Sequence, residues 1–75
     1  MVDYDEAIAL CDEATTLCNT LLEEGVSVEG EMFVGNVSER IESMQDWIET
    51  NTQCTEKQFQ ALQNMIHGLK EWQRG

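Results

Sequence analysis

The side chains that could carry chemistry in this 75-residue chain are three cysteines, one histidine and fifteen carboxylates. Cys11 and Cys18 lie seven residues apart, which corresponds to about 10 Å of rise along a helix. That separation is too long for both thiolates to ligate one zinc ion through bonds of about 2.3 Å. The sequence contains no Cys-x-x-Cys pair and no second histidine. We therefore interpret Cys11, Cys18 and Cys54 as small core residues with reduced thiols.

The single histidine, His67, falls opposite the apolar face of its predicted helix. A catalytic base needs a nucleophile within reach and a partner that orients it. No serine or cysteine lies near His67 in the sequence, and neither a glycine-rich phosphate loop nor a calcium-loop spacing is present. The sequence thus predicts a protein that is not an enzyme and that uses no metal or cofactor.

The carboxylates are the most numerous of these groups, and they are unevenly distributed. Thirteen of the fifteen lie in the first fifty residues against one base, Arg40, so this part of the chain carries a net charge of −12. Steps of three or four residues along a helix rise about 4.5–6 Å, so a row of acids can approach the charge spacing of a nucleic-acid backbone. Helical spacing predicts two acid rows: Glu39, Glu42, Asp46 and Glu49 at these steps in the second helix, and Asp5, Asp12 and Glu23 along one polar stripe of the first.

These rows are either solvated faces that keep the protein soluble or a surface that attracts a cationic partner. Direct binding of nucleic acid is disfavoured, because the acids would repel the phosphates. We expect the partner to be a basic protein surface, such as that of a nucleic-acid-binding protein or complex. Trp47 is the aromatic residue placed to anchor that contact.

Length and composition limit the class of protein further. A chain of 75 residues makes one small domain with a marginal core. No apolar run approaches the roughly 20 residues of a membrane span, and the acidic start lacks the apolar segment of a secretory signal. We expect a cytoplasmic protein that does not enter membranes. Self-association is the expected additional source of stability.

Apolar periodicity predicts three helices in one domain, over about residues 3–24, 31–50 and 55–73. The segment Thr55-Glu56-Lys57-Gln58 is a capping box that marks the start of the third helix. Asp3 with Glu6 is a variant of the same signal at the first helix. Residues 26–30, with a glycine at the end, are predicted to be a connection.

Gly35 falls early in the second helix, where glycine costs about 1 kcal/mol relative to alanine. The sequence leaves two explanations open. Another helix crosses closely at Gly35, or the second helix starts later, at Asn36 or Ser38.

The apolar surface of the first helix covers about half its circumference, so this helix must contact more than one neighbour. With short connections, the pattern predicts an all-α, antiparallel three-helix bundle. The alternative is an open arrangement completed by a second copy, which would make the chain a small oligomerisation or accessory module. Four apolar residues at the edges of the helical faces either close the core or form that homodimer contact: Leu10, Leu17, Trp47 and Trp72.

The C-terminal part of the chain resembles short helical pairs of small bacteriophage and mobile-element proteins. The segments that carry this likeness are Trp47-Ile48-Glu49-Thr50-Asn51, Thr55-Glu56-Lys57-Gln58, Ala61-Leu62, Ile66, Gly68-Leu69 and Trp72. The whole chain, small, acidic and helical, also resembles phage anti-defence inhibitors, including anti-CRISPR proteins and DNA mimics. This resemblance implies stoichiometric binding that blocks a host protein's nucleic-acid or partner site.

Overall fold

The chain forms a bundle of three helices. The computed structural model describes residues 2–74, with Arg74 through its backbone only. The helices are α1 (Tyr4–Glu24), α2 (Val28–Asn51) and α3 (Glu56–Arg74), and residues 2–74 contain no strand. Connections of three and four residues make consecutive helices antiparallel. The predicted all-α fold and its three-helix bundle are therefore confirmed.

The first helix is the central element of the bundle. It packs against both α2 and α3, whereas these two touch each other much less. This confirms the prediction that the wide apolar surface of α1 serves two neighbours. Four buried residues of α1 are small, which lets both neighbours approach its backbone: Ala7, Cys11, Ala14 and Cys18.

Both ends of α1 follow from local chemistry. The Asp3 side chain accepts a hydrogen bond from the backbone N–H of Asp5 at 3.1 Å, which satisfies one of the free donors at the helix start. Gly25 ends the helix with φ at +87° and donates its N–H to the carbonyl of Leu21. A side chain would be strained at that φ, so glycine is required there.

The second helix begins at Val28, three residues before the predicted start. Ser27 is the N-cap, and its hydroxyl accepts from the backbone N–H of Gly30 at 3.1 Å. The prediction of a connection over residues 26–30 was wrong, because Gly30 is a buried residue of the first helical turn. The connection comprises residues 25–27 only.

Neither explanation of Gly35 holds within a single copy of the bundle. The helix runs through Gly35, and apart from its neighbours in the same helix no atom of the described chain lies within 4 Å of the position that a Cβ would take. The close approaches occur at two other glycines. A Cβ on Gly30 would lie 3.3 Å from Cζ3 of Trp72, and a Cβ on Gly68 would lie 3.2 Å from Cζ of Phe33.

These two approaches form one reciprocal contact between α2 and α3. Phe33 of α2 covers Gly68 of α3, and Trp72 of α3 covers Gly30 of α2. The Phe33 and Trp72 rings face each other with centroids 5.9 Å apart and planes tilted by 32°. Such an aromatic pair adds about 0.5–1.5 kcal/mol beyond its buried area. It closes the bundle at the end where α3 finishes.

The connection between α2 and α3 confirms one predicted signal, the capping box at the start of α3. The helix α2 stops at Asn51, after which Thr52 adopts the left-handed conformation with φ at 53°. At the start of α3, Thr55 donates its N–H to Gln58 Oε1 at 2.9 Å, and its hydroxyl accepts from the Gln58 N–H at 3.1 Å. This reciprocal pair is the predicted capping box.

Candidate interaction surface

Every aspartate and glutamate of the chain is exposed. Among the described side chains the one close contact between a basic and an acidic side chain joins His67 Nε2 to Glu71 Oε1 at 3.2 Å, and both partners are exposed. Exposed pairs of this kind contribute little to stability. No lysine or arginine whose side chain is described pairs with a carboxylate. No described lysine or arginine therefore neutralises a carboxylate of the first fifty residues by direct pairing.

The α2 acid row lies on the outward side of that helix. Glu39, Glu42 and Asp46 surround one shallow depression together with Ser43. Glu49 follows one turn further along and is also exposed. The buried residues of α2 point to the opposite side: Gly30, Val34, Val37, Ile41 and Ile48. The predicted acid row is thus separate from the seam that holds α2 to the bundle.

The α1 acid row approaches the α2 row near one buried thiol. Its three members are exposed along the helix: Asp5, Asp12 and Glu23. Burial, followed by the Coulombic effects of Cys54, Asp12 and Glu49 in that order, raises the pKa of Cys11 to about 11. One acid of each row therefore lies close enough to Cys11 to raise its pKa. The middle of the α1 row and the end of the α2 row flank the same part of the bundle.

Trp47 lies beside the acid row rather than within it. It is 43% exposed and borders a depression with Arg40, Met44 and Gln58 on the side of α2 that faces α3. Ser43 lines both this depression and the acidic one, so the two surfaces meet. An aromatic side chain at that boundary is accessible to a partner that covers the acid row.

The residues assigned to a homodimer contact occupy different settings. Leu10 and Leu17 are half-buried and pack against the core of their own chain. Trp72 is 36% exposed, and one edge of its ring covers Gly30. All three therefore contribute to closing a single copy of the bundle.

Sequence reasoning missed an exposed apolar group at the end of the bundle where α1 meets α2. Val28 is 74% exposed, Met32 66% and Leu22 50%. The signal was present in the sequence, because positions 28 and 32 fall outside the apolar seam of α2. One helical turn after Met32 comes Gly35, which is exposed on the same side.

The groups capable of covalent or metal chemistry are separated or inaccessible. Within residues 2–74, no three His, Cys, Asp or Glu side chains form a group that would hold a metal ion. Cys11, Cys18 and Cys54 are all buried, and burial raises the pKa of each thiol. The thiols therefore remain protonated at neutral pH, where only the thiolate is a good nucleophile.

Comparison with protein-family models, with curated proteins and with solved structures found no significant match to this chain. A separate observation concerns membranes. None of the helices in residues 2–74 combines the length and the apolar character needed to cross a bilayer.

Proposed function

We propose that this chain is a non-enzymatic interaction protein that binds a basic, nucleic-acid-handling surface of a host protein and blocks it, in the manner of a phage anti-defence inhibitor such as an anti-CRISPR protein. It would act in the host cytoplasm, with one molecule per target. The observation that carries this proposal is the set of exposed acid rows on α1 and α2, which no described lysine or arginine neutralises.

The spacing of the acids supports binding in place of a nucleic-acid strand. Glu39, Glu42 and Asp46 are separated by three and four residues and share one depression. Each step rises about 4.5–6 Å along the helix, which is comparable with the distance between successive phosphates of one strand. Carboxylates on a rigid helix offer a basic groove a fixed row of charges. Because the helix backbone is already ordered in the free protein, binding costs side-chain entropy but little backbone entropy.

The repulsion between neighbouring acids, which destabilises the helix, also supports a binding role for the rows. Like charges three or four residues apart on a helix destabilise it by about 0.2–0.5 kcal/mol per pair. The α2 row contains three such neighbouring pairs among Glu39, Glu42, Asp46 and Glu49. A basic partner would replace this repulsion with attraction, and electrostatic steering would raise the association rate.

The experiment reverses two charges in the middle of the α2 row. A tagged protein captures its target from bacterial lysate, and the affinity of the isolated target for each variant is then measured. The double variant Glu42→Lys with Asp46→Lys should bind at least about tenfold more weakly, a loss of about 1.4 kcal/mol. Both side chains are exposed, so the thermal unfolding transition should change little.

The control is a double variant with the same change in net charge, Glu56→Lys with Glu71→Lys on α3. It should reduce affinity less, because these acids lie outside both rows. Binding of the wild type should also weaken steeply between about 50 mM and about 500 mM salt, as the Debye length shortens. Unchanged affinity of the α2 double variant, or equal losses in the two variants, would contradict the assignment of the binding site.

A further inference from the structure

Two exposed apolar residues near the start of α2 lie on its outward side, away from the other two helices. Val28 and Met32 are four residues apart, a spacing that places them next to each other on one helical face. They are the two most exposed large apolar side chains described in the protein, at 74% and 66%. Gly35 continues the same face one turn later. We name Val28, Met32 and Gly35 the outer strip.

The fold itself gives no reason for glycine at position 35. Glycine inside a helix costs about 1 kcal/mol relative to alanine. Gly30 and Gly68 offset that cost by admitting Trp72 and Phe33, whereas a Cβ on Gly35 would meet no atom within 4 Å. The outer strip therefore presents bare backbone next to an exposed methionine. That surface suits a second helix crossing closely, because the distance between packed helices depends on the side chains at the crossing.

We propose that the outer strip docks an amphipathic, cationic helix of the partner protein. This inference rests on the proposed function and adds an apolar surface on the same helical face that the α2 acid row continues from Glu39 onwards. The charge around the strip identifies the occupant. No lysine or arginine occurs before Arg40. The exposed acids that flank the strip and the adjacent end of α1 are Glu23, Glu24, Glu29, Glu31 and Glu39.

The same charges argue against a second copy as the occupant. Packing of two outer strips on one another would bring Glu31 and Glu39 of one copy close to the same acids of the other. Like charges in an interface without counter-charges oppose association. A helix with apolar residues on one face and lysines or arginines beside them instead pairs with the apolar centre and with the acidic rim at once. This arrangement matches the common anatomy of an apolar interface core with a polar rim.

The test uses two synthetic helical peptides of about 18 residues, which span about 27 Å. The first has leucines at helical spacing of three and four with lysines elsewhere. The second keeps the lysines and replaces every leucine with alanine, so that charge and helix propensity are preserved. Affinities are measured by calorimetry, and backbone amide NMR shifts locate the contact. The leucine peptide should bind at least tenfold more tightly than the alanine peptide, with its largest shifts in residues 28–39.

Two variants of the protein separate this contact from general charge attraction. Gly35→Ala should weaken binding of the leucine peptide about tenfold, because its methyl group occupies the crossing point, although it stabilises the fold. Met32→Gln should also weaken binding. The matched control is Thr16→Ala on the exposed side of α1, which likewise improves helix propensity and should leave the affinity unchanged.

Four outcomes would overturn the inference. Equal affinity for the two peptides, or an unchanged affinity in Gly35→Ala, would remove the outer strip as a docking site and leave the proposed function standing. A homodimer that Met32→Gln dissociates would make a second copy the occupant. If neither cationic peptide binds at low salt, the proposed function fails together with this inference.

Discussion

The three helical glycines of the bundle form a graded series for testing the packing of α2 on α3. Replacing each with alanine offers about 0.5–1 kcal/mol in helix propensity. What differs is the space for the added methyl group. At Gly35 it meets nothing within 4 Å, at Gly68 it lies 3.2 Å from Phe33 Cζ, and at Gly30 it lies 2.9 Å from Val26 Cβ.

Gly35→Ala should therefore increase the free energy of unfolding by the full difference in helix propensity between glycine and alanine. For a domain of this size, 1 kcal/mol corresponds to a rise in Tm of about 4–8 °C. Gly68→Ala should gain less or nothing, because the Phe33 ring must move by a few tenths of an ångström. Gly30→Ala should destabilise the protein by about 1–3 kcal/mol, since Val26 and Trp72 must both shift in a packed corner.

The assay is chemical denaturation of the three variants, followed by tryptophan fluorescence and by circular dichroism. The expected order of the free energy of unfolding is Gly35→Ala, then wild type, then Gly30→Ala, with Gly68→Ala below Gly35→Ala. The fluorescence of the folded state should change in Gly30→Ala, because Trp72 rests on that position. If Gly30→Ala proved as stable as Gly35→Ala, the reciprocal contact of Phe33 and Trp72 over glycine would be refuted.

Two further predictions concern the thiols and the end of α2. Burial holds the pKa of Cys11 at about 11, above the ordinary 9.0, so from pH 9.0 upwards the unfolded chain releases this proton first. Cys11 alone should then lower the free energy of unfolding by about 1.4 kcal/mol per pH unit up to about pH 11, and the raised pKa values of Cys18 and Cys54 add to the fall; denaturation of Cys11→Ala, which should show a shallower fall, checks this. Thr52→Gly should stabilise the protein by about 1 kcal/mol, because Thr52 has φ at 53°. Thr50→Gly, inside α2, should instead destabilise it by about 0.3 kcal/mol in the same denaturation assay.

The elements with local signals were predictable from the sequence. Thr55 and Gln58 specify the start of α3 through their own hydrogen bonds, which depend on no distant residue. The start of α2 has a comparable cap at Ser27, yet the glycine three residues later resembled part of a loop. Gly30 belongs in the helix because Trp72, more than forty residues away, covers it. Such a long-range reason leaves no mark in the local pattern.

The candidate surface likewise contains residues whose exposure could be predicted from the sequence and residues whose exposure could not. Acidic side chains at helical spacing stay in water in almost any bundle, so the exposure of Glu39, Glu42 and Asp46 followed from periodicity alone. The exposure of Val28 and Met32 depends on which faces of α2 the other two helices cover. Their positions outside the apolar seam are the one signal that would have revealed it.

The two sides of α2 are separate, so substitutions on each side can distinguish a docking surface from an oligomerisation module. The seam side is buried against the bundle, so substitutions there change stability and binding together. The outer strip and the acid row contact nothing that the fold requires, so substitutions there should change binding while stability stays constant or rises. Leu10 and Leu17 are of the first kind, because they pack on the core of their own chain. An aspartate at either position should lower Tm in proportion to any loss of association, whereas Gly35→Ala should raise Tm and lower affinity. If the outer strip is a docking surface, Gly35→Ala should make the fold more stable and the binding weaker, and the other interpretations of this bundle do not predict that combination.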